Sequence, residues 1–215
     1  MATTETVEDP LKLLSDITLP DPRQKHFTGS LRDRHAVLCR INLHEGVPVE
    51  VRQSFETAKN LSLYTWFVYR FHQVSELMAY VTLEMALRNR FLLDYSDLPV
   101  PTLAKLLKLA SEKQWIKNDR FPSLLSKAKQ HAWDLKNFKL ASEHDFEKEP
   151  EMRCVGPTDT EIAEALAEID LVGGITNTAN KLRNDLAHGS TTLHPQSMST
   201  LKTVSEVINQ LFEKL

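Results

Sequence analysis

A chain of 215 residues with 41% hydrophobic and 26% charged side chains has the make-up of a folded, soluble protein, which argues against a disordered chain or a collapsed membrane protein. Its length suits one substantial domain with embellishments. The net charge of −3 hides a local split: residues 101–140 carry nine Lys or Arg against three acids, and residues 141–170 carry two against ten.

The basic stretch can attract phosphate and the acidic one can repel or mask it; the plainer reading makes both of them solvated helix faces and loops. No uninterrupted apolar run approaches the ~18 residues a membrane helix needs, and "MATTETVEDP" is acidic and lacks an apolar signal core. A cytoplasmic protein with no membrane contact is expected. Cys39 and Cys154 stand alone without CxxC spacing, so neither a disulfide framework nor a zinc ribbon is expected.

Residues 1–46 contain Pro10, Pro20, Pro22, Gly29 and Gly46 with only short apolar runs, and read as an irregular N-terminal arm with one short helix at most. Function is not expected there. "VPVEVRQSFETAKNL" starts helically, with Pro48 suited to a first turn and Val51, Phe55 and Ala58 recurring at helical spacing. From Leu61 to Asp94 there is no Gly or Pro, and Phe67, Phe71, Val74, Met78, Val81 and Met85 step by fours and threes. That pattern predicts one long core helix with this stripe buried.

Beside the stripe, His72, Glu76, Tyr80, Glu84 and Arg88 follow one another at four-residue spacing along a neighbouring ridge. Two readings stay open. The seam is either a salt-bridged surface ladder, with Glu84 and Arg88 as an i,i+4 pair, or a face turned to a cleft or partner. In the second case its carboxylates need partners, such as an arginine from another helix.

After "DLPVP", the stretch "TLAKLLKLASEKQWI" reads as an amphipathic helix capped by Thr102, with Leu103, Leu106, Leu107 and Ala110 inward. "FPSLLSKAKQHAWDLKNFKLA" predicts a helix with Pro122 in its first turn. "EHDFEKEPEMRCVGPTDT" reads as an acidic loop, and Thr158 or Thr160 can cap a short helix in "DTEIAEALAEIDLV". "ITNTANKLRNDLAH" predicts a helix ending at Gly189, and "PQSMSTLKTVSEVINQLFEKL" a last helix with Met198, Leu201, Val204, Ile208 and Leu211 on one face. Strand signals are weak and no long repeat occurs. An all-α helical bundle follows.

"LRN" occurs twice, at Leu87–Asn89 and Leu182–Asn184, but only the second copy is followed by a histidine, in "KLRNDLAHG". Arg183 and His188 lie five residues apart, roughly 140° around a helix, so they can converge only on something wide, such as a phosphate, or on a site completed by another subunit. Asn184 and His188 share a face. A histidine in the last turn of a helix can exchange protons near neutral pH, and a guanidinium can bond phosphate oxygens that gather charge. Those residue types suit metal-independent cleavage of RNA at the ribose 2′-hydroxyl.

"KLRNDLAHG" followed by an amphipathic terminal helix resembles the signature of the HEPN superfamily, whose motif is Arg, four to six residues, then His, with a polar residue after the Arg. "AYVTLEMALRNRF" and "TLAKLLKLASEKQWI" are similar to patterns in bacterial abortive-infection-like members. The resemblance covers roughly residues 48–116 and 172–215. It implies an antiparallel helical bundle of HEPN type over 47–215, with 117–171 as a helical and acidic-loop insertion. It also implies a homodimer in which two motif copies face each other, and a metal-independent endoribonuclease, toxin or defence component, acting on RNA with a possible antitoxin partner.

On this resemblance Arg183 and His188 match the catalytic pair, Asn184 and the adjoining Asp185 are supporting polar residues, and Glu84 and Glu76 loosely match the supporting acid of the long helix. No cofactor is implied. Other members are non-catalytic dimerisation, regulatory or nucleotide-binding modules, and that alternative stays open. His26, His35 and His44 follow no metal-binding spacing, and His188 with His194 lacks a nearby Cys or carboxylate, so no metal is expected. Trp66, Trp115 and Trp133 read as core anchors.

Overall fold

The structure is a computed structural model that describes residues 9–170, 173–178 and 194–213. Among the described residues every regular element is helical. They are α1 (Leu31–Cys39), α2 (Val49–Tyr64), α3 (Phe71–Asp94), α4 (Leu103–Glu112), α5 (Pro122–Glu143), α6 (Asp159–Ala167), α7 (173–178) and α8 (Ser197–Leu211), with 3-10 turns at Leu14–Asp16, Pro22–His26 and Asn118–Arg120. No described helix is long and apolar enough to cross a membrane. Among its described residues the arm holds one α-helix, started by a reciprocal capping box between Ser30 and Asp33.

The centre of the bundle is α3, packed between α2 and α8. Ser54 meets Thr82 at 2.6 Å and the Ser75 hydroxyl donates to the Ala58 carbonyl at 2.8 Å, so residue numbers fall on one helix as they rise on the other and the two run antiparallel. Fully buried Ala58, Ala79 and Ala86 keep side-chain bulk low, while Phe55, Leu83 and Leu87 fill the space between. On the other side α8 runs alongside α3 in the same direction, His72 facing Ser197 and Glu76 facing Thr200. Leu201, Val204, Ile208 and Leu211 are buried on α8 as their spacing predicts, and Leu106, Leu107 and Ala110 are buried on α4.

The uninterrupted stretch 61–94 is not one helix. It stops at Tyr64 and restarts at Phe71 because the arm supplies partners for the carbonyls that end α2. The Asp21 N–H donates to Trp66 O at 2.8 Å, Gln24 Nε2 donates to Thr65 O at 3.2 Å, and the Thr65 hydroxyl turns back to Ser62 O at 2.7 Å. The Asp21 carboxylate then accepts the Tyr69 N–H at 3.1 Å as the chain enters α3. Long-range bonds from a proline-rich arm thus set a helix boundary that no local Gly or Pro marks.

The face of α3 is also inverted relative to the expected stripe. Val74 and Val81 are 40% and 45% exposed, and Phe67, Phe71, Met78 and Met85 are half-buried, whereas His72, Glu76 and Tyr80 are buried. Hydroxyl-bearing residues at the start of α8, Ser197 braced in turn by Ser62 of α2, make this tolerable, since they give the polar seam partners that an apolar neighbour would withhold. Lower on the same ridge, Glu84 and Arg88 form the expected i,i+4 pair at 2.7 Å on the outer surface.

The acidic stretch folds back on the basic one. The α6 helix, begun by a capping box of Thr158 and Glu161, packs on α5 through Ala128, Ala132 and Ala165. The Lys136 ammonium donates to Glu161 at 2.9 Å. That bond and the Thr158 N–H hold the Glu161 carboxyl down to about 2. Lys105, Lys113, Lys127, Lys129 and Lys139 stay exposed. Trp133 is not a core anchor, for it lies on an outer flank of α5 at 38% exposure.

Asn137 pins the chain between α5 and α6. Its amide donates to Val155 O at 3.0 Å while its carbonyl accepts the Val155 N–H at 2.8 Å, so one side chain acts as a strand edge. Asn137→Ala is expected to cost only about 1 kcal/mol of global stability, yet to speed limited proteolysis within 144–157 several-fold. Cleavage at the wild-type rate would show that other contacts hold the segment.

Candidate functional site

Arg183, Asn184, Asp185 and His188 lie outside the described residues. Glu76 and Glu84 are described, and they differ. Glu84 sits on the outer surface, paired with Arg88. Glu76 is buried in the middle of the bundle with His72 and Tyr80, one helical turn to either side. Four-residue spacing places the three side chains in a row along α3, and their partners come from α7 and the start of α8.

His72 Nδ1 is hydrogen-bonded to the Ser197 hydroxyl at 2.8 Å, and Ser197 to Ser62 of α2 at 2.7 Å. The ring lies edge-on to Tyr69 at 5.0 Å. Burial, with the nearby positive charge of Arg34, pushes the imidazole down to about 4 and makes it neutral at physiological pH. Its Nε2 has no hydrogen-bond partner among the described residues.

Glu76 accepts from the Thr200 hydroxyl at 3.3 Å and from the backbone N–H of Gln196. Burial outweighs both bonds and pushes the carboxyl up to about 7. No arginine or lysine among the described residues pairs with it, and its Oε1 has no described hydrogen-bond partner. Near neutral pH the group therefore exchanges between carboxylic acid and carboxylate. Burial and the neighbouring Glu76 charge push the Tyr80 phenol up to about 12, against hydrogen bonds with Thr178 and Thr200.

These partners bracket the Arg-x4-His segment in the chain. Thr178 is the last described residue before it; Gln196, Ser197 and Thr200 follow it at the start of α8. Both flanks of residues 179–193 are thus tied to one polar row on α3. Spacing alone marked His72, Glu76 and Tyr80, but not Ser62, Thr178, Ser197 and Thr200. The hydroxyl-rich "SMST" that opens α8 was the available signal for the last two.

The histidines of the arm serve separate local bonds, His35 to Cys39 Sγ at 3.5 Å and His44 Nε2 to Asn209 O at 3.0 Å. Among the described residues no group of three His, Cys, Asp or Glu is placed to hold a metal ion. Comparison of the chain with protein-family models, curated proteins and solved structures finds no match.

Proposed function

We propose that this chain is a metal-independent endoribonuclease of HEPN type, cleaving RNA with a composite site of Arg183 and His188 at a homodimer interface, as a toxin or defence component. One observation supports the reading. The described residues on either side of the Arg-x4-His segment, Thr178 before it and Ser197 and Thr200 after it, are bonded to the buried row His72, Glu76 and Tyr80 on the central helix.

In this reading His188 exchanges the proton of the ribose 2′-hydroxyl or of the leaving 5′-oxygen, and Arg183 stabilises the charge that gathers on the phosphate. Asn184 and Asp185 orient the pair. Glu76 supports it from α3, and Glu84, paired with Arg88 on the surface, has the weaker claim to that role. The exposed lysines of α4 and α5 offer RNA a cationic approach whose strength falls as salt rises.

The test is incubation of the purified chain with total RNA in EDTA, beside His188→Ala. The wild type is expected to cleave, and the variant to be at least ~100-fold slower. Equal cleavage by both, or none by the wild type, sinks the proposal. A second reading, a non-catalytic dimerisation, regulatory or nucleotide-binding module, is favoured by the burial of the polar row, whose described members all lie under 10% exposure. It predicts intact RNA together with a changed assembly state in Arg183→Ala.

A further inference from the structure

We infer that the Glu76 carboxyl is a proton-operated clasp: while it keeps its proton, α7 and the start of α8 stay seated on α3, and when it ionises they lift to let water reach the charge. The device acts on the two elements that flank the Arg-x4-His segment in sequence, and it does not depend on the ribonuclease reading.

The start of α8 is fastened from outside. Its N-cap residue, Gln196, makes no capping bond with its own side chain, and the third helical residue is Ser199, where a capping box would place Glu or Gln. The missing bond comes from α3. Glu76 accepts the Gln196 N–H and the Thr200 hydroxyl, the latter at 3.3 Å, while His72 Nδ1 meets the Ser197 hydroxyl at 2.8 Å. One turn further along α3, Tyr80 is bonded to Thr178 of α7 and to Thr200. Glu76 thus sits where both elements are attached. Past Thr200, α8 is held by buried Leu201, Val204 and Ile208, so the lifting is confined to its first turn.

Nothing described around the carboxyl offers it a positive charge. It is 4% exposed, and its Oε1 has no hydrogen-bond partner among the described residues. The titratable neighbours on α3 are His72, neutral above about 4, and Tyr80, neutral below about 12. From α8 and α7 come an amide and hydroxyls, and from α2 comes Ser62, one bond removed behind Ser197. The charges of Arg34 and Asp21 act on His72 and not on Glu76.

A protonated carboxyl is tolerated in such a place. An ionised one loses its hydration, and hydrogen bonds from neutral donors do not offset that loss, so burial pushes the group from 4.5 up to about 7. The seated state holds the proton; a lifted state, in which water restores the ordinary value, releases it. Loss of the proton therefore favours lifting, and the change falls in the neutral range.

Amide hydrogen exchange at pH 5.5 and 8.5, read by mass spectrometry and corrected for the intrinsic rate, tests this on the full chain. Glu76→Gln and Glu76→Leu are two variants that cannot ionise, and circular dichroism checks their folding. His72 titrates in all three chains, so the ratio of wild-type to variant protection isolates Glu76. In peptides covering α7 and residues 194–200 that ratio is expected to fall by about tenfold or more from the lower pH to the higher, while α2 keeps the higher protection at both. A ratio that does not change with pH overturns the inference. So does a fall that α2 shares at equal protection, since the opening would then be global unfolding. Unfolding of both variants would show that the folded chain needs a carboxylate at this position, and would overturn it too. RNA cleavage by the wild type or by His188→Ala leaves this result untouched.

Discussion

Phe55→Ala is expected to cost about 3–5 kcal/mol, a large share of the roughly 5–15 kcal/mol that stabilises an ordinary domain. Phe55 has no exposed surface and stands on α2 where Ala58 and Ala79 bring that helix against α3. Removing the ring leaves a cavity that cannot collapse, because the neighbouring contacts are fixed by the Ser54–Thr82 and Ser75–Ala58 hydrogen bonds. In urea the midpoint should fall by more than about 1 M. Phe138→Ala is the control, since that ring is 77% exposed on α5 and its loss should stay within about 0.5 kcal/mol. Similar midpoint shifts in the two variants would refute the assignment of the core to the α2–α3 contact.

The second large effect depends on pH. A carboxyl raised from its ordinary 4.5 to about 7 binds more protons in the folded state than in the unfolded one between those values. Stability from Glu76 is therefore full below about 4.5 and lost as pH rises towards 7. The span corresponds to about 3 kcal/mol. His72 has the opposite sign: lowered from 6.5 to about 4, it contributes stability above 6.5 that is lost as pH falls through 4.

In the wild type these two slopes oppose each other between pH 4.5 and 6.5 and largely cancel. Glu76→Gln keeps the shape and the acceptor oxygen but removes the proton equilibrium. The variant is expected to be more stable than the wild type by up to about 3 kcal/mol at pH 8, to match it near pH 4.5, and to lose stability on acidification along the slope of His72. Urea titrations at four or five pH values measure this directly. A variant less stable than the wild type at pH 8 would mean that the carboxylate is ionised and paired with a cation in the folded chain.

Helical spacing was enough to read the class of fold and most helix starts. Pro122 opens α5, Thr158 caps α6, and the apolar residues of α4 and α8 face inward as their periods require. These features depend on contacts within a few residues, which a local pattern encodes. The helix break at 65–70 was not legible, because its partners are Asp21 and Gln24, more than forty residues away.

The candidate site divides in the same way. The sequence by itself determined an Arg-x4-His segment before a terminal amphipathic helix, and a row of polar residues at four-residue spacing beside an apolar stripe. Tertiary structure alone decided which of those two ridges on α3 is covered. Periodicity shows that residues share a face, but a face is buried only by what packs against it. Here Ser197, itself bonded to Ser62, and Thr200 arrive with hydroxyls that bond His72 and Glu76, which makes burial of the polar row affordable and leaves Val74 and Val81 in water.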